Sequence, residues 1–163
     1  MCNASATSVT NRLSDFLCAM SRSSVLVFVQ FACIAFFFLT GSIWAHSPLG
    51  LAIEGLGIGL GVSAIVVMKW SQLSVFPEPR SDGKLLKTGP YRILRHPMYT
   101  AVLLVCGSLA FDRLDEAGFA VYALLVFNQL MKLRFEEKLL LKHYGEGYAT
   151  YMEETYAILP YIY

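Results

Sequence analysis

A chain of 163 residues is the size of a single domain. Its hydrophobic fraction of 56% and charged fraction of 15% stand well apart from the roughly 45–50% and 25% of soluble domains, and point to a bilayer as the solvent. A net charge of only +1 leaves no global basic field of the kind a nucleic-acid partner requires.

Residues 1–24 are rich in Ser, Thr and Asn and carry Arg12 and Arg22. They show neither the basic opening nor the cleavage site of a signal peptide, and read as a polar cytoplasmic tail. An uncharged apolar segment follows at 25–45, and a second at 48–68 has Glu54 as its one charge. A helix needs about 20 such residues to cross the hydrocarbon core, so both are predicted spans. In the second, Gly57 and Gly61 form a G-x-x-x-G pattern, a mark of close helix packing.

Residues 69–97 are polar and are broken by Pro77, Pro79, Gly83, Gly89, Pro90 and Pro97, which predicts a loop. Its six cations include Lys84, Arg92 and Arg95. Pro97 suits the first position of a helix, which places Arg95 and His96 just before a helix N-terminus, where an anion is favoured. Two shorter apolar segments follow, at 98–111 and 117–130, joined by residues 112–116. They are predicted to form a helical hairpin of two further spans.

The last of these helices is predicted to run past the membrane as far as Gly145, a natural helix stop. On it Glu136 shares a face with Leu133, Leu140 and His143, while Glu137 lies about 100° away with Arg134, Leu141 and Tyr144. Taken alone, such a pair of glutamates is a solvated helix face. The tyrosines at 148, 151, 156, 161 and 163 read as an interfacial cap over the membrane surface. Cys2, Cys18, Cys33 and Cys106 have no metal-site spacing, and neither a disulfide nor a metal is expected.

Twelve of the thirteen Lys and Arg residues fall in the tail, the loop at 69–97 and the segment after 130; only Arg113 lies in the hairpin turn. By the positive-inside rule this predicts four spans with both termini cytoplasmic. The fold class is therefore all-α and polytopic, with a tail at 1–24 and one membrane domain at 25–163.

Three stretches then form a recognisable set. Gly83-Lys84-Leu85-Leu86, Gly89-Pro90-Tyr91-Arg92 and Arg95-His96-Pro97-Met98-Tyr99 resemble the core motif of the isoprenylcysteine carboxyl methyltransferase and phospholipid methyltransferase superfamily. Phe76-Pro77-Glu78-Pro79 is similar to a segment of its small bacterial members. Glu136-Glu137-Lys138-Leu139-Leu140, followed by Tyr144, Gly145, Tyr148, Tyr151 and Pro160, resembles the C-terminal motif. The resemblance covers residues 70–163.

It implies an enzyme that binds S-adenosylmethionine at the cytoplasmic membrane surface. Carried over by position, the cofactor contacts are Lys84, Leu85, Leu86, Tyr91, His96, Pro97, Met98, Tyr99 and Glu136. Arg95, Glu136 and Glu137 are the implied catalytic residues, and Lys132 and Arg95 the implied acceptor contacts. Lys132 stands where eukaryotic members have an Arg, and Ala101 stands where the family often has Gly. The expected reaction is methyl transfer to a lipid-like or prenylated acceptor, with a carboxylate as the reacting group and a bacterial inner membrane as the site. Two other readings are a nicotinamide-dependent, sterol-reductase-like membrane enzyme and a non-catalytic lipid-binding protein.

Overall fold

The computed structural model describes residues 23–68 and 87–160. Lys84, Leu85, Leu86 and most of the tail lie outside the described residues. Among the described residues there are five α-helices: α1 (Ser23–Thr40), α2 (Pro48–Met68), α3 (Pro97–Arg113), α4 (Glu116–Tyr144) and α5 (Glu146–Glu154). A 3-10 turn, Gly89–Arg92, precedes α3. Among the described residues the regular structure is helical, apart from one isolated parallel bridge between Leu94 and Tyr156.

The first two helices are long and apolar enough to cross a membrane, with mean hydropathies of 2.2 and 2.1. Their surfaces have the sidedness of lipid-facing helices. On α2 the buried positions are Gly50, Glu54, Gly57 and Ala64, a stripe of small and polar residues at helical spacing. Its large apolar side chains point outward, with Leu56 at 65% and Val66 at 70% exposure. In water that arrangement would be costly; in hydrocarbon it is the favourable one, because small residues let helices approach closely.

The G-x-x-x-G expectation holds. A Cβ at Gly57 would lie 3.0 Å from Leu104 and Val105 side-chain atoms, and one at Gly61 would lie 3.3 Å from the Ala101 Cβ. The α2–α3 contact is thus made through these two glycines, while the neighbouring Gly55 and Gly59 face open space.

The helix ends follow local chemistry. Pro97 is the first residue of α3, as its missing N–H permits. The Ser47 hydroxyl accepts from Gly50 N at 3.1 Å and caps α2 behind Pro48. Asp115 Oδ1 accepts from Gly118 N at 2.7 Å and caps α4. The hairpin turn is tighter than expected from 112–116, because α3 reaches Arg113 and α4 starts at Glu116. The first helix is shorter than the apolar segment at 25–45: it ends at Thr40, and the chain then turns at 41–47. Two carboxylates hold that turn with three hydrogen bonds. Asp112 accepts from His46 N at 2.7 Å and Ser47 N at 3.0 Å, and buried Glu54 accepts from Ala45 N at 3.0 Å.

Gly145 ends α4 as expected. The C-terminal segment does not simply cap the surface. It returns to α3 and pairs with the residues before it: Arg95 N donates to Tyr156 O at 2.7 Å, His96 N to Ala157 O at 3.1 Å, and Tyr156 N to Ile93 O at 3.0 Å. Thr100 Oγ1 adds a hydrogen bond to Ile158 O at 2.8 Å.

Candidate active site

The antiparallel hairpin of α3 and α4 returns its open ends to one level. The start of α3, the distal part of α4 and the C-terminal segment meet there. Gly89 shapes the approach to it. Its φ is +59°, and a Cβ there would lie 2.6 Å from Val67 Cγ2, so any side chain meets both strain and the end of α2. The following Tyr91 is buried and its carbonyl accepts from the Tyr151 hydroxyl. Burial pushes that hydroxyl's pKa up to about 12, so it stays a donor.

Arg95 is a clamp. Its Nε lies 2.9 Å from Glu137 Oε1, and its Nη1 donates to the carbonyls of Met152, at 2.9 Å, and Thr155. The side chain is 10% exposed and its glutamate partner 14%. The guanidinium fork thereby joins the α3 entrance, α4 and the end of α5.

His96 sits between the two glutamates. Nδ1 is 3.6 Å from Glu136 Oε2 and Nε2 is 3.6 Å from Glu137 Oε1, both longer than a formed hydrogen bond. The ring is buried, and Nε2 has no hydrogen-bond partner among the described residues. It stacks on Tyr99, with centroids 5.2 Å apart and planes 7° apart. The Tyr99 hydroxyl donates to Glu136 Oε2 at 2.6 Å. Lys132 Nζ lies 5.2 Å from the Tyr99 ring centroid and donates to Gln30 Oε1 at 2.9 Å. Pro97 is buried and Met98 partly so.

The solvated-face reading of the glutamates is therefore corrected. Both carboxylates turn inward, with 26% and 14% side-chain exposure, because the returning C-terminal segment and the α3 entrance cover that side of α4. Burial raises the Glu137 pKa, but His96 and Arg95 beside it outweigh that, and its carboxyl is held below the ordinary range. Arg95, His96, Tyr99, Lys132, Glu136 and Glu137 thus form one connected layer. Tyr91 adjoins it through Tyr151. Gln30, Met152 and Thr155 also belong to the layer and carry no signal in the sequence. Gln30 is a lone amide in an apolar run, and the other two act through backbone carbonyls.

The family model for phospholipid methyltransferases matches residues 45–147, more than half of the chain. The cobalt-zinc-cadmium resistance protein CzcN of Cupriavidus metallidurans is 32% identical over 117 residues, covering 70% of this chain and 50% of that protein. The chain thus spans about half the length of this curated relative. The matched region runs from the α1–α2 turn to the beginning of α5 and holds every described member of the layer except Gln30 and the C-terminal residues. The chain belongs to the phospholipid methyltransferase family, within the isoprenylcysteine carboxyl methyltransferase superfamily.

Proposed function

We propose that this chain transfers a methyl group from S-adenosylmethionine to a lipid-like or prenylated acceptor at the cytoplasmic membrane surface, with a carboxylate as the reacting group. The observation that carries this reading is the layer in which His96, Tyr99 and Glu136 converge beside lipid-facing helices. When bound, the cofactor supplies an electrophilic methyl on a sulfonium.

The residues present fit such a ligand. The partly exposed Glu136 carboxylate is a partner for its ammonium group. The buried Nε2 of His96, without a partner, is an available hydrogen-bonding atom. The stacked faces of His96 and Tyr99 favour a sulfonium or a purine. Tyr91, Pro97 and Met98 adjoin this surface, and Lys84, Leu85 and Leu86 are proposed to complete it.

A carboxylate acceptor is already nucleophilic and needs orientation and exclusion of water more than a base. Arg95 has its guanidinium engaged by Glu137 and two carbonyls, which favours Lys132 as the orienting cation and gives Arg95 the task of holding the layer together. Glu137 serves the same clamp.

The test is incubation of the purified chain with radiolabelled S-adenosylmethionine and total membrane lipid, alongside calorimetry with S-adenosylmethionine and NADPH. Label in a lipid product and binding of S-adenosylmethionine alone are expected. Glu136→Gln is expected to weaken cofactor binding by about 10- to 150-fold, the loss of one charge-assisted hydrogen bond of roughly 1.5–3 kcal/mol. Binding of NADPH, or of neither compound, would overturn the reading.

A further inference from the structure

The polar side chains between α1 and α4 are not explained by packing. Lys132 is 3% exposed, Gln30 9% and Gln129 0%. Asn128, also buried, has its Nδ2 donating to Leu26 O at 3.0 Å. Such groups are expensive in an apolar layer and mark function when they occur there. Asn128 is satisfied by its backbone partner. The other three differ. Lys132 Nζ has a neutral amide oxygen at 2.9 Å and an aromatic face at 5.2 Å, and no carboxylate of the described residues lies within ion-pair distance. Among the described residues neither amide atom of Gln129 has a hydrogen-bond partner, and its place three residues before Lys132 makes the two neighbours on one helix face.

A buried ammonium hydrogen-bonded to a neutral amide, on which the Glu136 carboxylate acts from beyond ion-pair distance, and an adjacent amide without a partner together leave room for an anion. We infer that Gln30, Gln129 and Lys132 form a subsite for the anionic head of an amphiphile, a carboxylate or a phosphate. Lys132 and Gln129 donate to the anion. Gln30 is a positioning residue: its oxygen holds Nζ over Tyr99 without neutralising it, as a carboxylate at the same place would. Gln30 lies on α1, outside the residues matched by the family model, so the selectivity it confers is a property of this chain's own first helix. That the amphiphile is the methyl acceptor rests on the function proposed above.

The test titrates oleate, oleyl phosphate and oleyl alcohol, which share one chain and differ in the head, into the full-length protein in detergent. The wild-type protein is expected to bind one or both anions about tenfold or more tightly than the alcohol, the scale of one charge-assisted hydrogen bond. Tighter binding of oleate identifies a carboxylate site, and tighter binding of oleyl phosphate a phosphate site. Gln30→Glu gives Lys132 a permanent counterion and is expected to reduce the preference to below about threefold. Gln129→Leu removes an unsatisfied buried amide, so its thermal midpoint is expected to stay level or rise while anion affinity falls; a purely structural glutamine would leave that affinity unchanged. Equal binding of the three amphiphiles by the wild type, or an undiminished preference in both variants, overturns the inference. Selective anion binding by a wild-type protein that does not bind S-adenosylmethionine would instead refute the methyl-transfer reading and leave the subsite standing.

Discussion

At the scale of single residues, the layer is held by charges that need one another. Arg95 and Glu137 are nearly buried and 2.9 Å apart, and removing one leaves the other uncompensated. Arg95→Ala is therefore expected to cost about 3 kcal/mol of stability. Arg95→Lys is expected to recover little of it, because an ammonium cannot reach Glu137 and two carbonyls as a planar fork does. Thermal midpoints in detergent check this. The same pair sets an acid limit. The Glu137 carboxyl is held below its ordinary value, so its contribution to stability is fully present above the unfolded-state pKa of about 4.3. It is lost as pH falls through the lower folded-state value. The midpoint should hold from neutral pH to about pH 5 and decline below that, and Glu137→Gln should remove this component of the decline.

At the scale of elements, close approach of α2 to α3 depends on the missing side chains of Gly57 and Gly61. A Cβ at Gly57 would sit 3.0 Å from two side chains and 3.1 Å from the Ala101 carbonyl. Gly57→Leu is expected to force the helices apart, at a cost of about 1–3 kcal/mol or more from overpacking. Gly59→Leu, facing open space, is expected to be nearly neutral. Because α3 carries Tyr99 and Thr100 into the layer, the Gly57 variant should also lose methyl-transfer activity, whereas the Gly59 variant should keep it. Parallel midpoint and activity measurements on the two variants decide this.

For the whole molecule, the expected topology follows from where the cations lie. With the layer on the cytoplasmic side, Arg113 and its partners Asp115 and Thr40 belong at the other face, together with the His46–Asp112 contact at 2.9 Å. The 17 residues of α3 and 29 of α4 extend about 25 Å and 43 Å at 1.5 Å per residue. The first nearly matches the hydrocarbon thickness of about 30 Å, and the second exceeds it, so α4 has length to emerge and carry Glu136 and Glu137 into the surface layer. Single cysteines introduced at positions 114 and 147 into a chain lacking its native ones are expected to label from opposite sides of sealed vesicles. Labelling of both from one side would refute four spans.

Much of this was legible in the chain alone, wherever the cause is local. Apolar runs marked α1 and α2, Pro97 and Gly145 marked helix boundaries, and the G-x-x-x-G marked a packing face, because each depends on a residue's own backbone or on neighbours one turn away. The Arg95-to-Tyr99 stretch and the glutamate pair pointed to the family. Tertiary structure alone decided which side of α4 is covered. From sequence the glutamates form an ordinary solvated face; they turn inward because residues 155–158, some 20 positions later, come back to pair with residues 93–96. It also decided that Arg95 is engaged by backbone carbonyls and that Gln30 meets Lys132 across 102 positions. Carbonyls have no side-chain identity to read, and a lone glutamine in an apolar helix acquires its partner only when the helices pack.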